Sequence, residues 1–125
     1  MFSATGKVIA LLADALFLGE AEGHLGGAGT LAIHSQKDPS LVCRGRFTSS
    51  AELGGIGQLE CSEGGFATFR FRRLSLFSGY GTGTFDNRPM SFAYGLSAEA
   101  ALPYLKLPAG KKLTESGSGL ALVDL

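Results

Sequence analysis

The chain carries no net charge, no long apolar run, and only two histidines and two cysteines. Eleven basic residues balance eleven acidic ones, so no global field draws nucleic acid or an anionic surface, and any partner must be chosen locally. No stretch reaches the roughly 18 to 20 apolar residues that a bilayer-spanning helix requires. Cys43 and Cys61 lack the Cys-x-x-Cys pairing of a zinc site, and His24 and His34 with scattered carboxylates make no metal-ligand spacing. The Gly-x-Ser-x-Gly elbow and the His-Glu-x-x-His helix are missing too. The sequence therefore assigns no catalytic residue, no metal and no cofactor.

What is present describes a packed β domain. At 125 residues the chain has room for one domain, residues 1–125, with one core. Hydrophobic residues make up 45%, and the 19 glycines far exceed the usual share of about 7%, which points to turns, bulges and close packing. Three segments share a Gly-x-Gly-x-apolar pattern: Gly27-Ala28-Gly29-Thr30-Leu31, Gly55-Ile56-Gly57-Gln58-Leu59 and Gly81-Thr82-Gly83-Thr84-Phe85. β-formers follow these glycines, whereas a phosphate-cradling loop needs a helix there.

Alternation with period two continues from each glycine segment through a polar turn into a returning strand. Leu41, Cys43, Gly45 and Phe47 share one face with Leu31 and Ile33, while Val42, Arg44 and Arg46 take the other. Ala67, Phe69 and Phe71 face inward, and Thr68, Arg70 and Arg72 face outward. In antiparallel register Gly57 falls opposite Phe69 and Gly55 opposite Phe71. If Asp86-Asn87-Arg88-Pro89 forms the third turn, Gly83 falls opposite Phe92 and Gly81 opposite Tyr94. A bare glycine leaves space that a neighbouring ring can cover.

Folding back around Glu52 would place Cys43 opposite Cys61, Arg44 opposite Glu60 and Phe47 opposite Gly57. Two readings of the cysteines stay open: a cross-strand disulfide, which implies an oxidising compartment, or two buried thiols compatible with the cytosol. Residues 7–18 suit a hairpin or a helix, and Gly19, Gly23 and the outward Glu20 and Glu22 favour the hairpin. They also carry an early cation and a short apolar run like a signal peptide, although Asp14 interrupts it. Ser97 caps a short helix that Pro103 stops, 105–110 reads as a loop or edge, and 120–125 as a final strand covering an open edge or seam. The expected fold is an all-β antiparallel meander of about eight strands built from β-hairpin repeats. It is rolled or closed into a small barrel, with the hairpin-repeat region at about 23–95 and a C-terminal helix, loop and strand appendage at 96–125.

The glycine segments and the returning aromatics resemble MORN-type β-hairpin repeats over about residues 23–95, without the tyrosine-glutamate-glycine opening of that family. The segment from Gly55 to Gly64, with its Gly-x-Gly-x-Leu-x-Cys and polar turn, is similar to short exported proteobacterial glycine-rich proteins of unknown function. That resemblance implies a periplasmic or cell-envelope location as a mature exported domain; the alternative is cytoplasmic. Neither resemblance carries a catalytic residue.

Arg44, Arg46, Arg70 and Arg72 form an outward stripe that could hold a phosphate, an acidic polysaccharide or an anionic headgroup. The competing role is structural, with Glu60, Glu20 and Glu22 neutralising them across strands. Nucleic-acid binding is disfavoured because Phe69 and Phe71 point to the other face. Three functions follow as expectations. The first is a non-enzymatic, envelope-associated binding or interaction module using the polar face or an exposed edge, with an unknown protein or anionic envelope ligand as partner and self-association possible. The second is a small apolar-ligand carrier with a barrel cavity, which a filled interior would exclude. The third is a hydrolase-like enzyme.

Overall fold

Period-two alternation dictates the architecture of the protein, seen in a computed structural model that describes residues 3–24, 26–50, 54–116 and 119–125. Eight strands follow one another: β1 (Ser3–Leu12), β2 (Ala15–His24), β3 (Ala28–Ser35), β4 (Val42–Ser50), β5 (Gly54–Cys61), β6 (Phe66–Ser75), β7 (Ser78–Phe85) and β8 (Arg88–Tyr94). Each pairs antiparallel with the next, and β1 pairs with β8, so the meander closes into a barrel. In β6 the strict alternation is visible in burial: Ala67, Phe69 and Phe71 are buried between exposed Thr68, Arg70 and Arg72. Residues 7–18 form the β1–β2 hairpin, with Ala13 at φ 51° in its turn. The fold-back pivot, Glu52, lies outside the described residues.

Register fixes the width of the barrel. One outward row of paired residues runs from Thr5 through Glu22, Thr30, Arg46, Gln58, Thr68 and Thr84 to Pro89. The Ala13 N–H then closes on the Pro89 carbonyl. The row thus returns to β1 eight residues beyond its start. Eight strands with a shear of eight leave an interior about wide enough for side chains to fill. Leu12, Phe17, Ile33, Cys43, Leu59 and Ala67 fill the half nearer the β1–β2 turn, each at most 3% exposed. Phe47, Phe69, Phe71, Phe92 and Tyr94 occupy the other half.

The ring packing depends on glycine. A Cβ built at Gly29 would overlap the Phe47 ring, one at Gly57 the Phe69 ring, one at Gly81 the Phe92 ring, and one at Gly79 the Tyr94 ring. Phe47 and Phe71 meet edge-on at 5.6 Å, Phe69 and Phe92 at 5.1 Å, and Phe71 and Tyr94 at 5.9 Å. Such pairs each contribute about 0.5–1.5 kcal/mol beyond the burial of their area.

The third hairpin corrects the sequence expectation by two residues. Gly81 faces Phe92, Gly83 faces Met90 and Gly79 faces Tyr94. Asp86 and Asn87, at φ 48° and 67°, alone make the turn, with Phe85 opposite Arg88. These residue types tolerate the left-handed region, so the chain closes a two-residue turn of the kind that matches strand twist.

A second core lies outside the barrel. Ile9, Leu11, Leu16 and Ala93 point outward from β1, β2 and β8 and pack against the C-terminal segment through Ala101 and Leu105, with Leu113, Leu120 and Leu122 beside them. Helix α1 (Ala98–Ala101) is capped by the Ser97 hydroxyl, which accepts from the Ala100 N–H, and Leu102–Tyr104 continues as a 3₁₀ turn. Buried Ser91 accepts from the Lys106 N–H at 2.9 Å, and Tyr80 stacks on Tyr104 at 4.3 Å. The final strand, β10 (Gly119–Asp124), pairs with β9 (Lys111–Ser116) in a separate two-stranded sheet. It covers a face of the barrel instead of a seam, because β1 and β8 leave no seam. No described helix is long and apolar enough to cross a membrane. The barrel itself is apolar inside and carries arginine and glutamate outside, the reverse of transmembrane barrel polarity.

Candidate functional site

At the end of the barrel where β1 begins, the inward positions of β1 and β2 are Ala4, Gly6, Ala21 and Gly23. Small residues there face large rings from β4, β6 and β8, and the mismatch leaves a cup of about 90 Å³. Its walls are Leu31, Phe47, Phe69, Phe71, Phe92 and Tyr94, with Val8 at the floor, and Arg73, Leu76 and Phe77 at the mouth. The space suits one ring or a few carbons of a chain; a drug-sized ligand would not be enclosed.

Arg73 brings positive charge to an otherwise apolar mouth. Its inward parity follows Phe69 and Phe71 on β6. Its Nη1 donates to the Leu76 carbonyl at 3.0 Å and its Nη2 to Ser49 Oγ at 2.9 Å. The guanidinium therefore ties the β6–β7 turn to β4. Burial pushes the Tyr94 phenol above its ordinary value of 10.0, and the Arg73 charge pulls partly the other way. A raised folded-state value keeps the phenol neutral in the native protein, so the stability it contributes below the unfolded value is lost as pH rises through the folded one. Tyr94→Phe should flatten the alkaline loss of stability that denaturant unfolding would read as pH rises above about 10. An unchanged slope would rule Tyr94 out as its source.

Arg44 and Arg46 project from β4, and Arg70 and Arg72 from β6, all exposed on the outer face. β5 separates the strands by roughly 10 Å, with Ile56, Gln58 and Glu60 outward, and register staggers the pairs: Arg46 is level with Thr68 and Arg44 with Phe66, so Arg46 and Arg70 are the nearest members. Arg44 faces Glu60, and Glu20 follows Ala32 in the same row. Among the described residues, neither acid forms an ion pair within 4.0 Å with these arginines; the pairs at that range are Glu22–His24, Asp14–Arg88 and Asp124–Lys111.

Cys43 and Cys61 are joined by a disulfide, with Cα atoms 3.9 Å apart. Ser62 N–H donates to the Val42 carbonyl in the adjacent pair, leaving the cysteines at a close, non-hydrogen-bonded position. His24 Nε2 sits 3.5 Å from Glu22, and its buried Nδ1 has no hydrogen-bond partner among the described residues. His34 is exposed at the far end of β3. No group of three or more potential metal ligands occurs among the described residues.

The strand alternation and the glycine segments do not by themselves mark the cup. Its signal is a run of small inward residues, Ala4, Gly6, Ala21 and Gly23, opposite large ones. Comparison with protein-family models, with curated proteins and with solved structures yields no match.

Proposed function

We propose that the protein is a non-enzymatic binding module of the cell envelope that takes the apolar end of a small amphiphile into the cup. The observation that carries this reading is the aromatic-walled opening at one end of a barrel that is otherwise filled. A carrier that encloses its whole ligand does not fit a barrel of this shear; a mouth that grips a ring or chain end does. Arg73 at the rim favours an anionic head over a cationic one. The Cys43–Cys61 disulfide supports an oxidising compartment. Closure of the barrel removes its strand edges as docking sites, so within the barrel the expectation of edge binding gives way to the cup and the outer face.

Octanoate tests the reading. Present at about 100-fold over its Kd, it should raise native stability by roughly 2.7 kcal/mol, read as a saturable rise in Tm. Ala21→Leu fills the cup from β2 and should abolish the rise while leaving the unliganded Tm unchanged or higher. An equal rise in both proteins, or none in the wild type, would contradict the cup.

The outer arginines support a second reading, binding of a multivalent anion. Four exposed guanidinium groups lack ion pairs among the described residues, and they are arranged as two pairs across β5.

A further inference from the structure

The two ends of the barrel differ in chemistry. At one end the turns carry Asp14, Lys37-Asp38, Ser62-Glu63 and Asp86-Asn87, all exposed. At the cup end the β6–β7 hairpin closes through Leu76 and Phe77, and a bulge between Arg73 and Ser75 sets Leu74 out of register. Leu76 is 70% exposed, Phe77 50% and Leu74 47%. Hairpin tips ordinarily use Gly, Asn, Asp or Ser, so three large apolar side chains here make an apolar tip that the described residues leave exposed.

The tip is ordered before it meets anything. Arg73 holds the Leu76 carbonyl, Ser75 Oγ lies 2.6 Å from Ser78 Oγ, and Ser75 Oγ accepts from the Phe77 N–H at 3.2 Å. Insertion of Leu76 and Phe77 would therefore cost little backbone entropy. Arg72, exposed on the outer face, and Arg73 flank the tip on β6. Two copies meeting tip to tip would oppose the same cations, whereas an anionic lipid surface complements them. Leu76 and Phe77 also line the cup, so the apolar tip is continuous with the apolar cavity.

We propose that the β6–β7 tip docks the barrel onto an anionic lipid surface, with Leu76 and Phe77 entering the interface and the cup opening towards it. For what enters the cup, an acyl chain end or a ring presented at the surface, the proposal rests on the cup reading above; the docking itself does not. Co-sedimentation with phosphatidylcholine vesicles, with and without phosphatidylglycerol, reads the docking. The protein should pellet with the anionic vesicles and be released by salt. Leu76→Ser combined with Phe77→Ser should weaken the partition at least about tenfold, and Arg72→Gln about fivefold. Because these side chains are exposed, thermal unfolding should confirm that each variant stays folded.

Wild-type protein remaining in the supernatant, or the double variant pelleting equally well, would overturn the proposal. So would a wild-type dimer in sedimentation equilibrium that becomes a monomer in the double variant without any vesicle binding, an outcome that assigns the tip to self-association. Octanoate binding separates the two readings. Its retention without vesicle binding rejects the docking alone, and vesicle binding without it rejects the cup alone.

Discussion

Gly45→Ala should cost about 2–3 kcal/mol of folding stability, since an overpacked site has to distort its surroundings to accept a new atom. Gly45 faces inward on β4 between Leu31 and Leu59. A Cβ there would run into the Gln58 carbonyl and the Leu59 Cα, at 3.0 Å from the latter. These are backbone atoms of the neighbouring strand, which no rotamer change can move. The barrel coils tightly enough at this shear that strands approach where a side chain would stand. Gly26→Ala is the contrasting case. Among the described residues no atom lies within 4 Å of a Cβ at that position, and its φ is outside the left-handed region, so the change should be neutral or stabilise by up to about 1 kcal/mol by restricting the unfolded chain. Urea unfolding of both variants checks the pair; equal effects would mean that the glycines serve flexibility instead of close approach.

Loss of the Cys43–Cys61 disulfide should lower stability by about 3 kcal/mol, since the bond closes a loop with a sequence separation of 18. For a domain of this size the fall in Tm should be on the order of 10 °C. Both cysteines are buried, Cys43 at 0% and Cys61 at 7% exposure, so the oxidised native protein should resist reductant until it opens. Cys43→Ala with Cys61→Ala, compared with the oxidised wild type by denaturant unfolding, measures the effect without reductant. A coincident midpoint would contradict it.

Much of the fold was legible because an antiparallel strand records its own face and register. The pairing of Cys43 with Cys61 and of Phe47 with Gly57 follows from alternation and a pivot at Glu52, and that of Phe69 with Gly57 from a second pivot at Glu63. The third hairpin slipped by two residues because Asp86-Asn87 can close a turn alone, and sequence spacing does not say how tightly a permissive pair will bend. Apolar residues on both faces of β1 signal a second packing partner. That partner, the segment holding Leu105, Leu113 and Leu120, lies about a hundred residues away and has no period to identify it. The cup was the least legible feature. It arises where Ala4, Gly6, Ala21 and Gly23 fail to fill the space beside Phe47 and Phe71; the small residues are visible in the sequence, but the rings they face are fixed only when β1 closes onto β8. The outer positions of Arg44, Arg46, Arg70 and Arg72 were legible from parity, but parity could not say whether the acids of neighbouring strands would meet them.

The central claim is that ligand enters the cup, and NMR of protein carrying ¹³C-labelled phenylalanine, tyrosine and arginine tests it most directly. On titration with octanoate, saturable shifts should appear at Phe47, Phe71, Phe92, Tyr94 and Arg73, with Arg44, Arg46, Arg70 and Arg72 unmoved. Shifts confined to the four outer arginines, with the aromatic resonances unchanged, would contradict the cup and assign binding to the outer face.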